Sequence, residues 1–313
     1  MSNVVIMVWS QHMDAGFGDL LRGTIYLHQL SHKLKFELIV DTRLHPVSKL
    51  LVSHPHKYSN YVMEHKSKIV NMIHTAPKDM ESFIKCRLMH NMPLLIVVNT
   101  YPNESLSIDC KRFMRRLLTP TDEFKKYFNE MCAKFRISRN YSIAHFRLGD
   151  QELNDNESDV EQYHKLCAMI DVQLATIPNL YIMSDSLTFK TYLRNSIRPE
   201  LSHRIIPTKP IHLAVPNAHD IDKMRETMFD FMLLANSRVI KTHSIYQWVS
   251  NFVAWVSLIF DVPLFDLKPK MDMKLHVGAK TAPLPIPQPQ NPPVSMSLFK
   301  SRLFRSGSFR TMF

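Results

Sequence analysis

Ser142-Ile-Ala-His145-Phe-Arg147-Leu-Gly-Asp150 is the stretch whose reading decides the fold. Tyr141 to Phe146 reads as a short buried strand, and Gly149 as the tight turn that stops it. A histidine, an arginine and an aspartate crowd the end of that strand. In open α/β sheets, ligands bind beyond the carboxyl ends of the strands. Arg147 carries a permanent charge there, on a planar fork whose geometry suits a phosphate.

Outward from this strand the second half of the chain repeats a strand–helix rhythm. An acidic loop, Gln151 to Asp159, leads to a helix from Val160 to Ile177. A strand follows, Asn179 to Ser184, ending in Ser184-Asp185-Ser186. Then come a helix (Leu187 to Arg194), a short strand (His203 to Ile206), a helix (Asp220 to Ala235) and a strand (Arg238 to Lys241). Thr242-His243-Ser244 closes that strand, and a helix from Ile245 to Phe260 follows it. Three successive strands thus end in polar or charged residues, as a ligand site in a doubly wound sheet requires.

The first half begins the same way. Val4 to Trp9 reads as a strand, Ser10 to Gly18 as a loop, and a helix runs from Asp19, its N-cap. Phe36 to Asp41 is the next strand, which makes a βαβ start. The chain has only six glycines, and Gly16, Gly18 and Gly23 lie close together in this region. Such clustering points to close backbone approach or positive φ. The spacing lacks the third glycine of a dinucleotide fingerprint, so NAD is not implied. Val62 to His74 and Met80 to Met89 read as helical stretches, Leu94 to Asn99 as a buried strand, and Pro120 to Lys134 as a helix with an apolar stripe of Phe124, Tyr127, Phe128, Met131 and Phe135. His54, His56, His65, His74 and His90 match no metal-site spacing and read as solvated surface histidines. The four cysteines, Cys86, Cys110, Cys132 and Cys167, form no CxxC pair and read as buried reduced thiols of a cytosolic protein.

Six of the eleven surplus positive charges lie after Asp272, where no acidic residue occurs. Six prolines fall between Pro283 and Pro293, and the basic, phenylalanine-dotted end from Ser297 reads as a disordered tail. Its sharper alternative is weak adsorption to an anionic membrane surface. No nucleic-acid-binding module is recognisable. The longest apolar run, Phe252 to Phe260, is too short for a membrane span of ~20 residues. With no signal peptide visible, the expected location is the cytoplasm.

In order and spacing the chain resembles fucosyltransferases of the two-Rossmann-domain, glycosyltransferase-B type. Three segments carry the resemblance: Gly16-Phe-Gly-Asp-Leu-Leu-Arg22-Gly23 is similar to their first glycine loop, His145-Phe-Arg147-Leu-Gly-Asp150 to their HxRxGD-like motif, and Asp230 with Ser237-Arg-Val-Ile-Lys-Thr-His243-Ser244-Ile-Tyr-Gln-Trp248 to their aspartate-bearing helix and serine-rich segment. The fold implied is α/β, with two Rossmann-like domains facing a cleft and a disordered C-terminal tail. The implied divisions are 1–137 (acceptor side), 138–273 (donor side) and 274–313 (tail). The resemblance further implies an inverting transfer of fucose from GDP-fucose to a glycan or other hydroxyl acceptor, with no cofactor and no metal; Asp185-Ser-Leu does not match a DxD motif, and Asp220-Ile-Asp222 falls where a helix should begin. Arg147 would neutralise the β-phosphate. His145 and Asp230 would lie near guanine or ribose, with Asp150, Ser184 and Asp185 also on the donor. His243 and Ser244 would donate to phosphate oxygens, helped by the N-terminus of the helix beginning there. Asp19 and Arg22, with the Gly16 and Gly18 loop, would close over the sugar from the other domain.

The chain departs from that pattern in places. Leu148 stands where many members have a second arginine, so Arg22 or Lys241 would have to share the phosphate charge. Asp19 stands where asparagine is common, and reads equally as a general base or as an N-cap. The serine-rich segment is reduced to His243-Ser-Ile-Tyr. Two alternatives therefore stay open: a transferase for another nucleotide sugar, and a binding protein that kept the fold without turnover. Each residue also has a plainer reading by itself. His145 could be a core histidine, Arg147 a salt-bridge partner of Asp150, Ser184-Asp185-Ser186 a helix cap, and Asp230 a solvated helix face.

Overall fold

The computed structural model describes residues 3–10, 16–90, 92–149, 160–210, 221–246 and 249–267, all within one compact unit. In chain order the elements are β1 (Val4–Ser10), α1 (Phe17–Leu34), β2 (Glu37–Leu44), α2 (Ser59–Glu64), β3 (Val70–Met72), α3 (Pro77–Leu88), β4 (Leu94–Val98), α4 (Ile108–Leu117) and α5 (Asp122–Lys134). The second half contains β5 (Ser142–Arg147), α6 (Val160–Thr176), β6 (Leu180–Ser184), α7 (Leu187–Ser196), α8 (Ile221–Ala235), β7 (Ile240–Ser244), α9 (Asn251–Phe260) and β8 (Leu264–Asp266).

Among the described residues there are two four-stranded sheets, ordered β2-β1-β4-β3 and β6-β5-β7-β8, and every pairing is parallel. Parallel strands covered on both faces need side chains that are apolar throughout. All of β1 and β4, the central strands of the first sheet, is buried, and so is the edge strand β6.

Capping chemistry sets several helix starts. Ser107, Thr121 and Ser186 each accept a hydrogen bond from a backbone amide three residues on, opening α4, α5 and α7. Helix α1 lies flat on β4 because Gly23 allows it: a Cβ there would sit 1.8 Å from the Val98 carbonyl oxygen.

The two sheets are not separately cored. The apolar cluster around β1, β4 and α1 continues into α8 and α9, although both helices come from the second half of the sequence. Phe17 meets Phe231 edge-on at 5.1 Å between ring centroids. A Cβ on Gly18 would lie 3.2–3.3 Å from Asn251 and Phe252 at the start of α9. A smaller cluster packs Ala144, Phe146 and Leu148 of the second sheet against Tyr163 and Leu166 of α6 and Phe189 of α7.

Several expectations are corrected. Val62 to His74 is not helical throughout, since β3 lies inside it. Residues 199–204 form a 3-10 turn, and only Ile205 bridges to Ile182. Helix α1 starts at Phe17 with Gly16 as N-cap, so Asp19 is not the N-cap but the third residue of the helix, whose carboxylate accepts from the Gly16 amide. Helix α9 starts at Asn251, not Ile245. Cys86 is exposed, not buried. The acidic loop 151–159 and the chain from 268 onward lie outside the described residues.

Candidate functional site

Sheet topology selects the location. In the second sheet the chain leaves β5 towards β6 on one side and reaches β7 and β8 on the other, so the order reverses between β5 and β7. Ligand crevices in such sheets open at this switch point. The register sets Phe146 beside Ser184 and Arg147 beside Ser244, so the three strand tips finish side by side.

At the β5 tip, Arg147 is held by Asp185. Its Nη1 lies 2.5 Å from Asp185 Oδ2, and the side chains are 16% and 6% exposed. The same carboxylate accepts from the Leu148 amide at 2.9 Å and the Gly149 amide at 3.4 Å. Asp185 therefore clasps the turn that carries Arg147. Gly149 has φ +111°, and a Cβ there would come 2.8 Å from Ile245 Cδ1, so only glycine makes this turn without strain. Ser184 donates to the Phe146 carbonyl at 2.9 Å and Ser186 caps α7, so both serines knit the tip together. Arg147 is a salt-bridge partner of Asp185; Asp150, the partner expected from the sequence, lies outside the described residues.

Behind this tip is a buried polar cluster. His145 faces the same side of the sheet as Thr242, its register partner. His145 Nδ1 and Thr242 Oγ1 are both buried with no hydrogen-bond partner among the described residues. Burial, followed by the nearby charges of Arg147 and Lys190, lowers the His145 pKa to about 3, so the ring is neutral at physiological pH. Asp230 is 2% exposed, which removes the solvated-face reading. Its Oδ1 accepts from the Thr208 hydroxyl at 2.8 Å, while the Thr208 carbonyl accepts from the buried Lys190 ammonium. Burial raises the Asp230 carboxyl to about 7 despite the opposing charge of Lys190. Burial also raises Asp185, with Arg147 and the two amides working against the rise. Lys190 and Thr208 carry no sequence signal, because their contacts join α7, α8 and the segment between them.

Strand alternation splits the remaining pair. Ser244 shares the face of Thr242, and its hydroxyl accepts from the Tyr246 amide at 3.2 Å. His243 points to the opposite face, its ring 5.9 Å from Phe146. Helix α9 begins at Asn251, so its N-terminus is not formed by these two residues. Lys241 does not join the tip: its ammonium donates to Gln173 at 2.5 Å. Leu148 is core, 3% exposed.

The first sheet differs in its outer strands but also has its first and second strands side by side with the later strands beyond the first, so its switch point lies between β1 and β4. Arg22 is placed there. Its Nε donates to the Asn99 carbonyl just past β4, its guanidinium stacks 3.9 Å from the Tyr101 ring centroid, and Asp19 pairs with it at 2.8 Å. The other Asp19 oxygen accepts from the Gly16 amide at 3.2 Å. Both carboxylate oxygens are thus engaged, a geometry that suits positioning Arg22 better than removing a proton. Gly16 has φ −69° and Gly18 is needed for its contact with α9.

Among the described residues, no three His, Cys, Asp or Glu side chains gather as metal ligands could, and no helix is long and apolar enough to cross a membrane. No protein-family model matches the chain, and no curated protein matches its sequence. Its three-dimensional likeness is to solved fucosyltransferases. The crystal structure of NodZ alpha-1,6-fucosyltransferase soaked with GDP-fucose superposes with a TM-score of 0.51 over 83% of this chain and 93% of that one, at 13% identity. A selenomethionine form of fucosyltransferase NodZ from Bradyrhizobium gives 0.50, again at 13% identity, over 83% and 92%. At that identity the likeness is one of architecture: this chain has the α/β, two-sheet glycosyltransferase-B fold of these fucosyltransferases.

Proposed function

We propose that this chain is a glycosyltransferase that moves fucose from GDP-fucose to a hydroxyl acceptor such as a glycan, with inversion and without a metal ion. One observation carries the proposal. A guanidinium, Arg147, is clasped by a buried carboxylate at the switch-point tip of the second sheet, in a fold shared with a fucosyltransferase solved with GDP-fucose.

The chemistry fits these residue types. The bond from the anomeric carbon to the β-phosphate oxygen breaks, and GDP leaves with the electron pair. The acceptor oxygen attacks from the opposite face and gives its proton to water. Charge grows on the departing diphosphate, so a preorganised cation aimed there lowers the barrier most. The Asp185 clasp keeps Arg147 in place before the donor arrives, and less reorganisation remains at the moment of reaction. Ser244, beside Arg147 in the register, is near enough along the strand edge to share the phosphate oxygens. His145 and Thr242 offer buried, unpartnered polar atoms on the same face for the nucleoside. Arg22, held by Asp19, Asn99 and Tyr101, belongs to the acceptor-side half, where it meets the sugar or its phosphates.

The second reading, a binding protein without turnover, draws on Leu148: its side chain is core, so no second arginine stands at that position. Incubating purified protein with GDP-fucose and following GDP release separates the two. We expect slow donor hydrolysis without acceptor, lost in Arg147→Ala. GDP-fucose that binds but is never cleaved, with any hydroxyl acceptor tried, would favour the second reading. Stabilisation by UDP and not GDP in a thermal-shift series would replace the donor.

A further inference from the structure

The strand tips of the second sheet are polar: Arg147, Ser184, Asp185 and Ser244 gather there, and Ile245 follows directly. Ile245 departs from that chemistry. Its side chain is 43% exposed, where a large apolar group gains nothing from water. Of the large apolar side chains this exposed among the described residues, Ile245 is the one that follows a strand tip at the switch point. A scattered apolar side chain on a surface needs no explanation. One fixed next to the Arg147 turn has a use.

Two backbone hydrogen bonds hold Ile245 in place. Its own amide donates to the Arg147 carbonyl at 3.0 Å, and the next amide, of Tyr246, donates to the Ser244 hydroxyl at 3.2 Å. A hydroxyl that accepts from the amide two residues on closes a turn around the residue between them. Ile245 is that residue. Its Cδ1 lies 2.8 Å from where a Cβ on Gly149 would be, and the Tyr246 hydroxyl lies 3.5 Å from the same point. The side chain therefore leans over the turn after Arg147, the same turn that Asp185 clasps through its amides.

We propose that Ile245 is a specificity-determining residue for the donor sugar: its exposed side chain receives the methyl group on C6 of a 6-deoxyhexose and disfavours the hydroxymethyl group of an ordinary hexose. This rests on the GDP-fucose reading above. A hexose ring is polar at nearly every carbon, and removing the C6 hydroxyl leaves one apolar corner. That corner belongs to the same ring as the anomeric carbon, whose bond to the β-phosphate oxygen breaks. With the diphosphate at Arg147, it falls within reach of the residue after Ser244. Burying a methyl against isoleucine is favourable, whereas burying a hydroxyl there strips it of water and supplies no partner.

The test compares GDP-L-fucose with GDP-L-galactose, which carries the same ring and one added hydroxyl on C6. Both are given to the full chain as wild type, Ile245→Thr and Ile245→Val. Ile245→Thr keeps the branch at Cβ and brings a hydroxyl, while Ile245→Val keeps an apolar surface. The readout is the ratio of kcat/KM for GDP release from the two donors. It should favour fucose about tenfold or more in the wild type and about threefold or less in Ile245→Thr, the range that one methyl-sized group supports. Ile245→Val should keep most of the preference. GDP alone, which has no sugar, should inhibit all three proteins to the same extent. A ratio in Ile245→Thr that matches the wild type overturns the assignment, as does a wild type that cleaves both donors equally. Weaker inhibition of Ile245→Thr by GDP would set the side chain against the nucleotide and overturn it too. Each of these results leaves the GDP-fucose reading standing. Release of GDP from neither donor removes that reading, and this one with it.

Discussion

Two aspartates in this molecule are equally buried, at 2% exposure each, and they have opposite surroundings. Asp41, midway along β2 in the first sheet, has both carboxylate oxygens engaged. Arg43 approaches it through Nη2 at 2.5 Å and Nε at 3.0 Å, the Arg43 amide at 3.0 Å, and His56 Nε2 at 3.2 Å. Burial pushes its carboxyl up, but the hydrogen bonds and charge of Arg43 bring it below the usual range. Asp230, under the second sheet, receives one hydroxyl and a lysine that bonds elsewhere, and its carboxyl is raised to about 7. In the first cluster the carboxylate itself is fully engaged, although His56 Nδ1 beside it is buried without a partner among the described residues. The second leaves polar capacity unused, alongside the unpartnered His145 Nδ1 and Thr242 Oγ1. A buried polar group left unmatched costs about 1–3 kcal/mol. At a topological switch point, where crevices in such sheets open, a bound ligand is one way to meet that cost.

The contrast can be broken or sharpened by mutation. The largest effect belongs to Arg147→Ala, which should reduce turnover about 10²–10³-fold, the usual consequence of losing one preorganised donor to a developing anion. Steady-state GDP release measures this, and a loss under tenfold would move the leaving group elsewhere. Asp41→Asn should be a pure stability variant, costing about 2 kcal/mol by denaturant unfolding, since Arg43 is one-third exposed and water compensates it in part. Its GDP affinity should stay at the wild-type value, and a parallel loss of affinity would erase the distinction between the two regions.

Asp230→Asn should do the reverse, weakening GDP binding while stabilising the fold at higher pH. The folded pKa of Asp230 is raised above its unfolded value near 4, so its contribution to stability is present below that value and is lost as pH rises through about 7. The asparagine has no charge to bury, and its side-chain oxygen still accepts from Thr208. Thermal unfolding at about pH 5 and about pH 8 should show the variant's advantage growing by roughly 1–2 kcal/mol at the higher pH. A variant less stable than wild type at both would contradict the burial argument. The smallest effect is Asp19→Asn, which should change turnover less than about threefold because an asparagine oxygen can still hold Arg22 or the Gly16 amide. A general base at this position would instead lose about 10²–10⁴-fold.

The fold was largely legible because buried parallel strands spell themselves out. Leu94–Val98 and Leu180–Ser184 are uninterrupted apolar runs, and Gly149 marks the turn after β5 with little ambiguity. Val70–Met72 was not legible: three residues of strand beside helical flanks carry no period of their own. The amphipathic α4 is a short helix enclosed by two loops, and it is not among the elements expected from the sequence. The start of α9 was misplaced by six residues, since Ile245 and Tyr246 are apolar enough to extend a helical pattern that Ser250 actually begins. In the candidate site, the strand-end residues could be read from position alone. The partnership of Arg147 with Asp185, the opposed faces of His243 and Ser244, and the path from Lys190 through Thr208 to Asp230 depend on contacts between distant segments, which no local pattern encodes.

The central claim is that Arg147 receives the diphosphate, and calorimetric titration of GDP into wild type and Arg147→Ala at a single pH near 8 tests it most directly. The account predicts measurable binding to the wild type and at least about tenfold weaker binding to the variant, the loss of a charge-assisted contact to phosphate. Equal affinity in a folded Arg147→Ala protein would contradict it.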